Sequence, residues 1–286
     1  MAQLRNYCKI LSLSVFCFAR IWASSSIVTT DNFAALEALA KSAEDHSHTL
    51  VLLDFAKVMC THKDPWMLGH KKKRHATNSI KHFSNPHSPQ AQAIGPHRHK
   101  KLLTIFHEAR RYRLIDQKLP RIIHQLQRRG IKVIALTSFK AGGTPRVKNH
   151  RYAALQKQGI DFSGAFPRHQ DLVLSGLQKN GKSPTFSKGI LSNAGVFSKG
   201  DVLRAFFDAI GWQPTRVIFY DDRMDNLDSV QQALYPLNIG FQGFLYTGFK
   251  KLPAFFDKDI AEYQVKHLIK HERWISGKKA KQLLKR

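Results

Sequence analysis

The chain has 286 residues, 43% hydrophobic and 10% aromatic, which is enough for one large core or two small ones and excludes global disorder. Lys and Arg number 46 against 20 Asp and Glu, a formal charge of +26 that favours anionic partners: nucleic acid, anionic lipid or phosphorylated small molecules. With three cysteines in all, two of them in the first 23 residues, a disulfide scaffold is excluded.

Residues 1–23 read as an export signal. Arg5 and Lys9 give the positive start, Ile10 to Ala19 the apolar stretch, and Ile21-Trp22-Ala23 before three serines a cleavage site. The stretch is too short to span a bilayer; an uncleaved membrane-surface anchor is the competing reading. Cleavage would remove Arg5, Lys9 and Arg20, leaving residues 24–286 as a periplasmic or secreted protein of charge +23. Cys60 is then the one remaining cysteine, without an intrachain disulfide partner, and reads as a small buried residue.

Thr29-Thr30-Asp31 followed by Phe33, Leu36, Leu39 and Ala40 predicts a capped amphipathic helix. Leu50 to Leu53 is a continuous apolar run of the kind buried on both faces of a parallel sheet, although alone it reads equally as a helix segment or as a strand whose Asp merely caps the next turn. Asp54 follows it, at the carboxyl end, where open α/β sheets bind ligands. From Cys60 to Lys101 the periodicity fades into a basic, histidine-rich insertion. Eight of the 15 histidines lie between His62 and His107, with HKKKRH at His70 to His75 and PHRHKK from Pro96. Such a tract could recruit a polyanion or weakly hold metal. The simpler reading is a solvated, flexible insertion, because His97 and His99 alone fall short of a zinc ligand set.

Helices are predicted over Leu102 to Tyr112 and Gln117 to Arg129, the second with Pro120 in its first turn and Gly130 as its stop. Ile131 to Leu136 then reads as a strand ending in Thr137-Ser138, and helix, glycine and strand together make a parallel crossover unit. GGTPRVKNH reads as a turn-rich loop, Arg151 to Gln158 as a short helix, and Gly189 to Asn193 as a short strand. Lys199-Gly200-Asp201 opens an amphipathic helix that Gly211 ends. Val217 to Tyr220 is a second buried strand, ending in Asp221 and Asp222; a helix, a strand over Gly243 to Gly248, and a basic helical tail over 254–286 follow. The fold class is α/β, a Rossmann-like parallel sheet flanked by helices, with the insertion placed after the first buried strand.

Asp54, Thr137 with Ser138, Lys199, and Asp221 with Asp222 and Asp225 then all lie at strand ends or helix starts. Together they make a coherent phosphate site. A carboxylate can attack phosphorus once a divalent metal removes the charge repulsion between them. Mg²⁺ takes oxygen ligands, which Asp54, Asp221 or Asp222 and a backbone carbonyl could supply. A hydroxyl of Thr137 or Ser138 and the Lys199 ammonium could hold the phosphate oxygens. Singly each is weak: a threonine after a strand is commonly a helix cap, and paired aspartates are common in turns.

Their order resembles the haloacid dehalogenase-like (HAD) superfamily, through VLLDFAKVM, VIALTS and SKGDVLRAFFDAIGWQPTRVIFYDDRMDN. The last run also resembles the predicted exported bacterial proteins grouped as DUF2608, and the likeness extends from Thr49 to Leu245. The resemblance implies a HAD-like fold with a small cap at the insertion, and Asp54 as nucleophile and Mg²⁺ ligand. It implies Thr137 or Ser138 as the phosphate-binding hydroxyl, Lys199 as the charge-stabilising lysine, and Asp221 and Asp222 as metal-site acids. Asp225 is the alternative second acid, and Ala56 would contribute its backbone carbonyl. Ala56 is also the departure, since the superfamily's phosphatases carry there an Asp that acts as general acid. Its loss removes a contribution on the order of 10²–10⁴ in rate. The expectations are an exported Mg²⁺-dependent phosphohydrolase with impaired acid catalysis or, alternatively, a degenerate HAD-fold protein that binds phosphate-bearing or polyanionic ligands. Nucleic acid is a weaker expectation, because the aromatics do not interleave with the basic runs.

Overall fold

A computed structural model of the chain describes residues 25–64, 83, 85–138, 145–252 and 257–285, with only the backbone for 145–149. The proposed signal, the HKKKRH run and His82 lie outside the described residues.

An eight-stranded sheet forms the centre of the molecule. Its parallel strands are β1 (Ser25–Thr30), β2 (Thr49–Leu53), β5 (Lys132–Thr137), β8 (Ile190–Ser192), β9 (Arg216–Asp221) and β10 (Gly240–Tyr246). The order across the sheet is β1, β10, β9, β2, β5, β8, β7, β6, with β7 (Thr185–Ser187) and β6 (Asp171–Val173) antiparallel at one edge. From β2 the chain steps outward to β5 and β8, then returns to the other side of β2 for β9 and β10. This is a Rossmann-like order whose switch point lies between β2 and β9.

The strands are apolar on both faces because both are covered. On β2, Val51 and Leu53 join Val133, Ile218 and Tyr220 beneath α1 (Ala34–Lys41) and α4 (Leu119–Arg128). Leu50 and Leu52 point the other way, with Ile134, Val217 and Phe219, beneath α6 (Lys199–Ile210) and α7 (Met224–Leu234). The period of two along each strand therefore divides one hydrophobic run between two cores. β1 is an addition to the reading from sequence. Residues 25–30 are mostly exposed at the sheet edge, so they carry little apolar signal, and Thr29 and Thr30 end this strand instead of capping α1.

The insertion is also more ordered than its composition predicts. It opens with β3 (Cys60–His62), which pairs antiparallel with β4 (Tyr112–Leu114) on its return. Between them lie α2 (Pro89–Ile94) and α3 (Pro96–Glu108). PHRHKK is thus the first turn and a half of a helix, and His99 is buried with Nε2 2.6 Å from the Phe83 carbonyl. The helix predicted to reach Tyr112 stops at Glu108, because Tyr112 is taken into the ribbon. Likewise α5 (Pro145–Gln156) begins inside the stretch read as a loop.

The C-terminal helices α8 (Lys258–His271) and α9 (Gly277–Leu284) belong with the insertion. Phe83, Leu102 and Phe106 share a small core with Ala261, Val265 and Leu268. Buried Asp64 accepts hydrogen bonds from Gln264 Nε2, Trp274 Nε1 and the Gly277 amide, fastening the tail to the insertion's first strand. No described helix is long and apolar enough to cross a membrane.

Candidate functional site: a carboxylate–lysine cluster at the switch point

The carboxyl ends of β2 and β9 lie side by side, with the Asp54 amide donating to the Tyr220 carbonyl at 2.9 Å. This sets Asp54 beside Asp221 even though the two are far apart in sequence. Lys199 is brought in from the opposite core. Ser198 caps α6, its Oγ accepting from the Asp201 amide at 3.0 Å and donating to the Asp201 carboxylate at 2.7 Å. Lys199 is therefore the first helical residue, and side chains of a helix lean toward its N-terminus, which aims the ammonium at the strand ends.

That ammonium is fully buried and makes three hydrogen bonds: to Asp54 Oδ1 at 2.6 Å, Asp221 Oδ2 at 2.6 Å and the Leu136 carbonyl at 2.8 Å. An ammonium has three donors, so it is satisfied. Burial alone would push its pKa down, but the charges of Asp54 and Asp221 outweigh that and hold it above the usual lysine value. Asp221, 0% exposed, is pushed up to about 6 by burial against the pull of Lys199. Its other oxygen accepts from the Arg223 amide at 2.9 Å and from Asn226 Nδ2 at 3.0 Å.

Asp222 joins from the next position. Asp54, Asp221 and Asp222 each offer an oxygen within 4.8 Å of the others, so these are the described residues that could hold a cation. Hard oxygen donors in this number suit a divalent ion such as Mg²⁺. Lys57 competes for the same place, with its Nζ 2.6 Å from Asp222 Oδ2. It stands in a tight loop in which its amide donates to the Cys60 carbonyl and its φ is +65°. Ala56 precedes it, exposed on the loop and without a side-chain proton to give.

Asp225 does not join. It lies in the first turn of α7, exposed and paired with Arg223, where the positive helix end also favours it. Asn226, one residue on, faces Asp221 instead.

On the other flank, Thr137 Oγ1 accepts a hydrogen bond from Arg151 Nη1, and Ser138 Oγ accepts one from Asn193 Nδ2 at 3.1 Å. Thr137 is buried and Ser138 exposed. Since Arg151 donates to Thr137, the threonine's own hydroxyl proton is left to point elsewhere. Arg151 also lies over the Phe55 ring at 5.0 Å. Burial pushes its guanidinium down to about 10, while Tyr112 and Asp54 pull it back up. Lys57, Arg151, Asn193 and Asn226 are the residues that sequence patterning missed. Asn193 and Asn226 stand just past a strand end and in a helix's first turn, where a polar side chain signals a site or a cap; Arg151 gave no signal.

The fold and cluster define an α/β protein of Rossmann-like order with a carboxylate–lysine centre at its switch point. Within that class, the chain belongs to the family described as "Protein of unknown function (DUF2608)", which matches residues 29–281. It is 21% identical over 175 residues to a Rickettsia prowazekii (strain Madrid E) protein described as "Uncharacterized protein RP296". That match takes in 61% of this chain and 64% of the relative. No solved structure matches the chain.

Proposed function

We propose that this protein is an exported HAD-like phosphohydrolase that uses Asp54 as nucleophile and lacks the usual general acid. The observation that carries the reading is the Lys199 ammonium, buried 2.6 Å from both Asp54 and Asp221 at the ends of adjacent central strands. A buried cation there lowers the repulsion between a carboxylate and an arriving phosphate dianion. Mg²⁺, held by Asp54, Asp221 and Asp222 with the Ala56 carbonyl, would supply further charge neutralisation.

The chain's own residues then divide the work. Asp54 bonds to phosphorus as the ester oxygen leaves, and water later cleaves the acyl phosphate. Thr137, oriented by Arg151, donates its hydroxyl to a phosphate oxygen, while Ser138 stands at the exposed side. Ala56 offers no proton to the leaving group, so good leaving groups such as para-nitrophenolate react best.

Incubation with para-nitrophenyl phosphate and Mg²⁺ tests this. Hydrolysis should appear, Asp54→Asn should abolish it, and Ala56→Asp should raise it, most for poor leaving groups.

A second reading, a degenerate HAD-fold protein that binds phosphate-bearing or polyanionic ligands without turnover, draws support from Lys57 on Asp222. Inertness of wild type, Asp54→Asn and Ala56→Asp alike, with salt-sensitive binding of a polyanion retained, would favour it.

A further inference from the structure

The end of the chain carries one sign of charge. Six Lys and Arg fall from Arg273 to Arg286, with no Asp or Glu among them. Gly277 and Ala280 of α9 are buried, while Lys278, Lys279, Lys281 and Lys285 are exposed. Lys278, Lys281 and Lys285 are spaced by three and four residues and so share a helix face. Leu284 continues the stripe of Gly277 and Ala280 but is 44% exposed, an apolar side chain among lysines.

Folding brings further cations to the same place. α8 packs on α9, with Asp259 and Glu262 near its start and Lys266, Lys270 and His271 near its end. α3 lies against that end: Arg98 Nη2 donates to the Ile269 carbonyl at 2.6 Å, and Arg98 and Lys101 both pair with Glu272. One carboxylate thus serves two cations from α3, with Lys270 and Arg273 exposed beside it in the chain. Arg98 stands in the first turn of α3, where the helix dipole disfavours a cation. Among the described residues Lys270, Arg273, Lys278, Lys279, Lys281 and Lys285 form no ion pair.

Like charges gathered in this way repel, and an anionic partner removes that cost. The set is rich in lysine, a compact hydrated charge that suits diffuse attraction to a charged surface better than forked recognition of a single phosphate. Trp274 is bonded to Asp64 and Phe106 is buried, so neither ring is presented for a base to stack on. We propose that α9 and the adjoining ends of α3 and α8 form a basic face that rests on an anionic lipid surface, with the lysines among the headgroups and Leu284 at the acyl boundary. The face is independent of the chemistry at Asp54.

Co-sedimentation of the purified full chain with vesicles tests it, using phosphatidylcholine alone or with a third of the lipid replaced by phosphatidylglycerol. Binding should be tighter to the anionic vesicles, and the difference should shrink as salt is raised. Lys270→Gln, Lys278→Gln, Lys279→Gln and Lys281→Gln together should weaken binding to the anionic vesicles by about a hundredfold or more. Arg128→Gln, Lys157→Gln, Lys179→Gln and Arg204→Gln remove the same charge from exposed positions elsewhere and should weaken it far less. Equal weakening by the two sets would assign the attraction to net charge and overturn the face. Equal binding of the wild type to both vesicles, or binding to duplex DNA without binding to anionic vesicles, would overturn it as well.

Discussion

The Lys199 ammonium lies 2.6 Å from the Asp54 carboxylate, across 145 positions of sequence, and 2.6 Å from Asp221 as well. One buried cation therefore compensates two buried acids. Removing one member of such a group leaves uncompensated charge, at about 3–5 kcal/mol. Lys199→Met should lower the unfolding free energy by that amount in urea titrations. Adding Asp221→Asn should recover part of it, because one stranded carboxylate is then neutral. Equal stability of Lys199→Met and wild type would mean the three groups are not packed together.

Lys57 holds Asp222 from the partly exposed side and adopts a left-handed φ of +65°, a conformation that glycine takes without strain. Lys57→Gly loses a partly exposed ion pair worth about 0–1 kcal/mol and relieves the backbone, so stability should hardly change. With the competing ammonium gone, Mn²⁺ affinity read by electron paramagnetic resonance should rise. Unchanged affinity would mean that Asp222 takes no part in binding the ion.

Gly200 sits where α6 passes closest to α7. A Cβ there would meet the Ser229 carbonyl oxygen at 2.0 Å and the Ala233 methyl at 2.9 Å. The obstacle is backbone, so the helices must part, at about 1–3 kcal/mol. Gly200→Ala should lower the melting temperature, because it displaces the helix start that carries Lys199. Gly176→Ala, with open space around it, is the control expected to leave the melting temperature unchanged.

His107 gives the fold an acid-sensitive term. Burial first, then the charges of Arg110, His150 and Arg151, bring it down from 6.5 to about 4, so the unfolded chain takes up the proton first. The stability contribution is complete above pH 6.5 and is lost as pH falls toward 4. A shift of this size corresponds to roughly 3 kcal/mol, reduced by partial exposure to about 2. His150 is lowered by burial too and acts in the same direction. Urea midpoints measured from pH 7 to 4 should fall, and His107→Gln should flatten part of that slope. An identical slope in the variant would place the acid sensitivity elsewhere.

Much of the sheet was legible because its signals are local. Leu50 to Leu53 and Val217 to Tyr220 are short continuous apolar runs of the kind a doubly covered strand carries, and Pro120, Gly130 and Gly211 mark helix ends by their own backbone chemistry. β1 was not legible, since an exposed edge strand needs few apolar residues. The helical insertion was hidden for a related reason: PHRHKK buries only His99 of its basic face, and its remaining charges mask the helix.

The sequence by itself determined which chemical groups stand at the strand ends and in what order, because strand length, alternation and capping are set by neighbouring residues. Only the tertiary structure decided which of them meet. It turned Asp225 outward and Asn226 inward, put Lys57 on Asp222, and carried Arg151 from a helix read only as a connector onto Thr137. Those choices depend on helix rotation and on charge compensation between elements distant in the chain, which no local pattern of residues encodes.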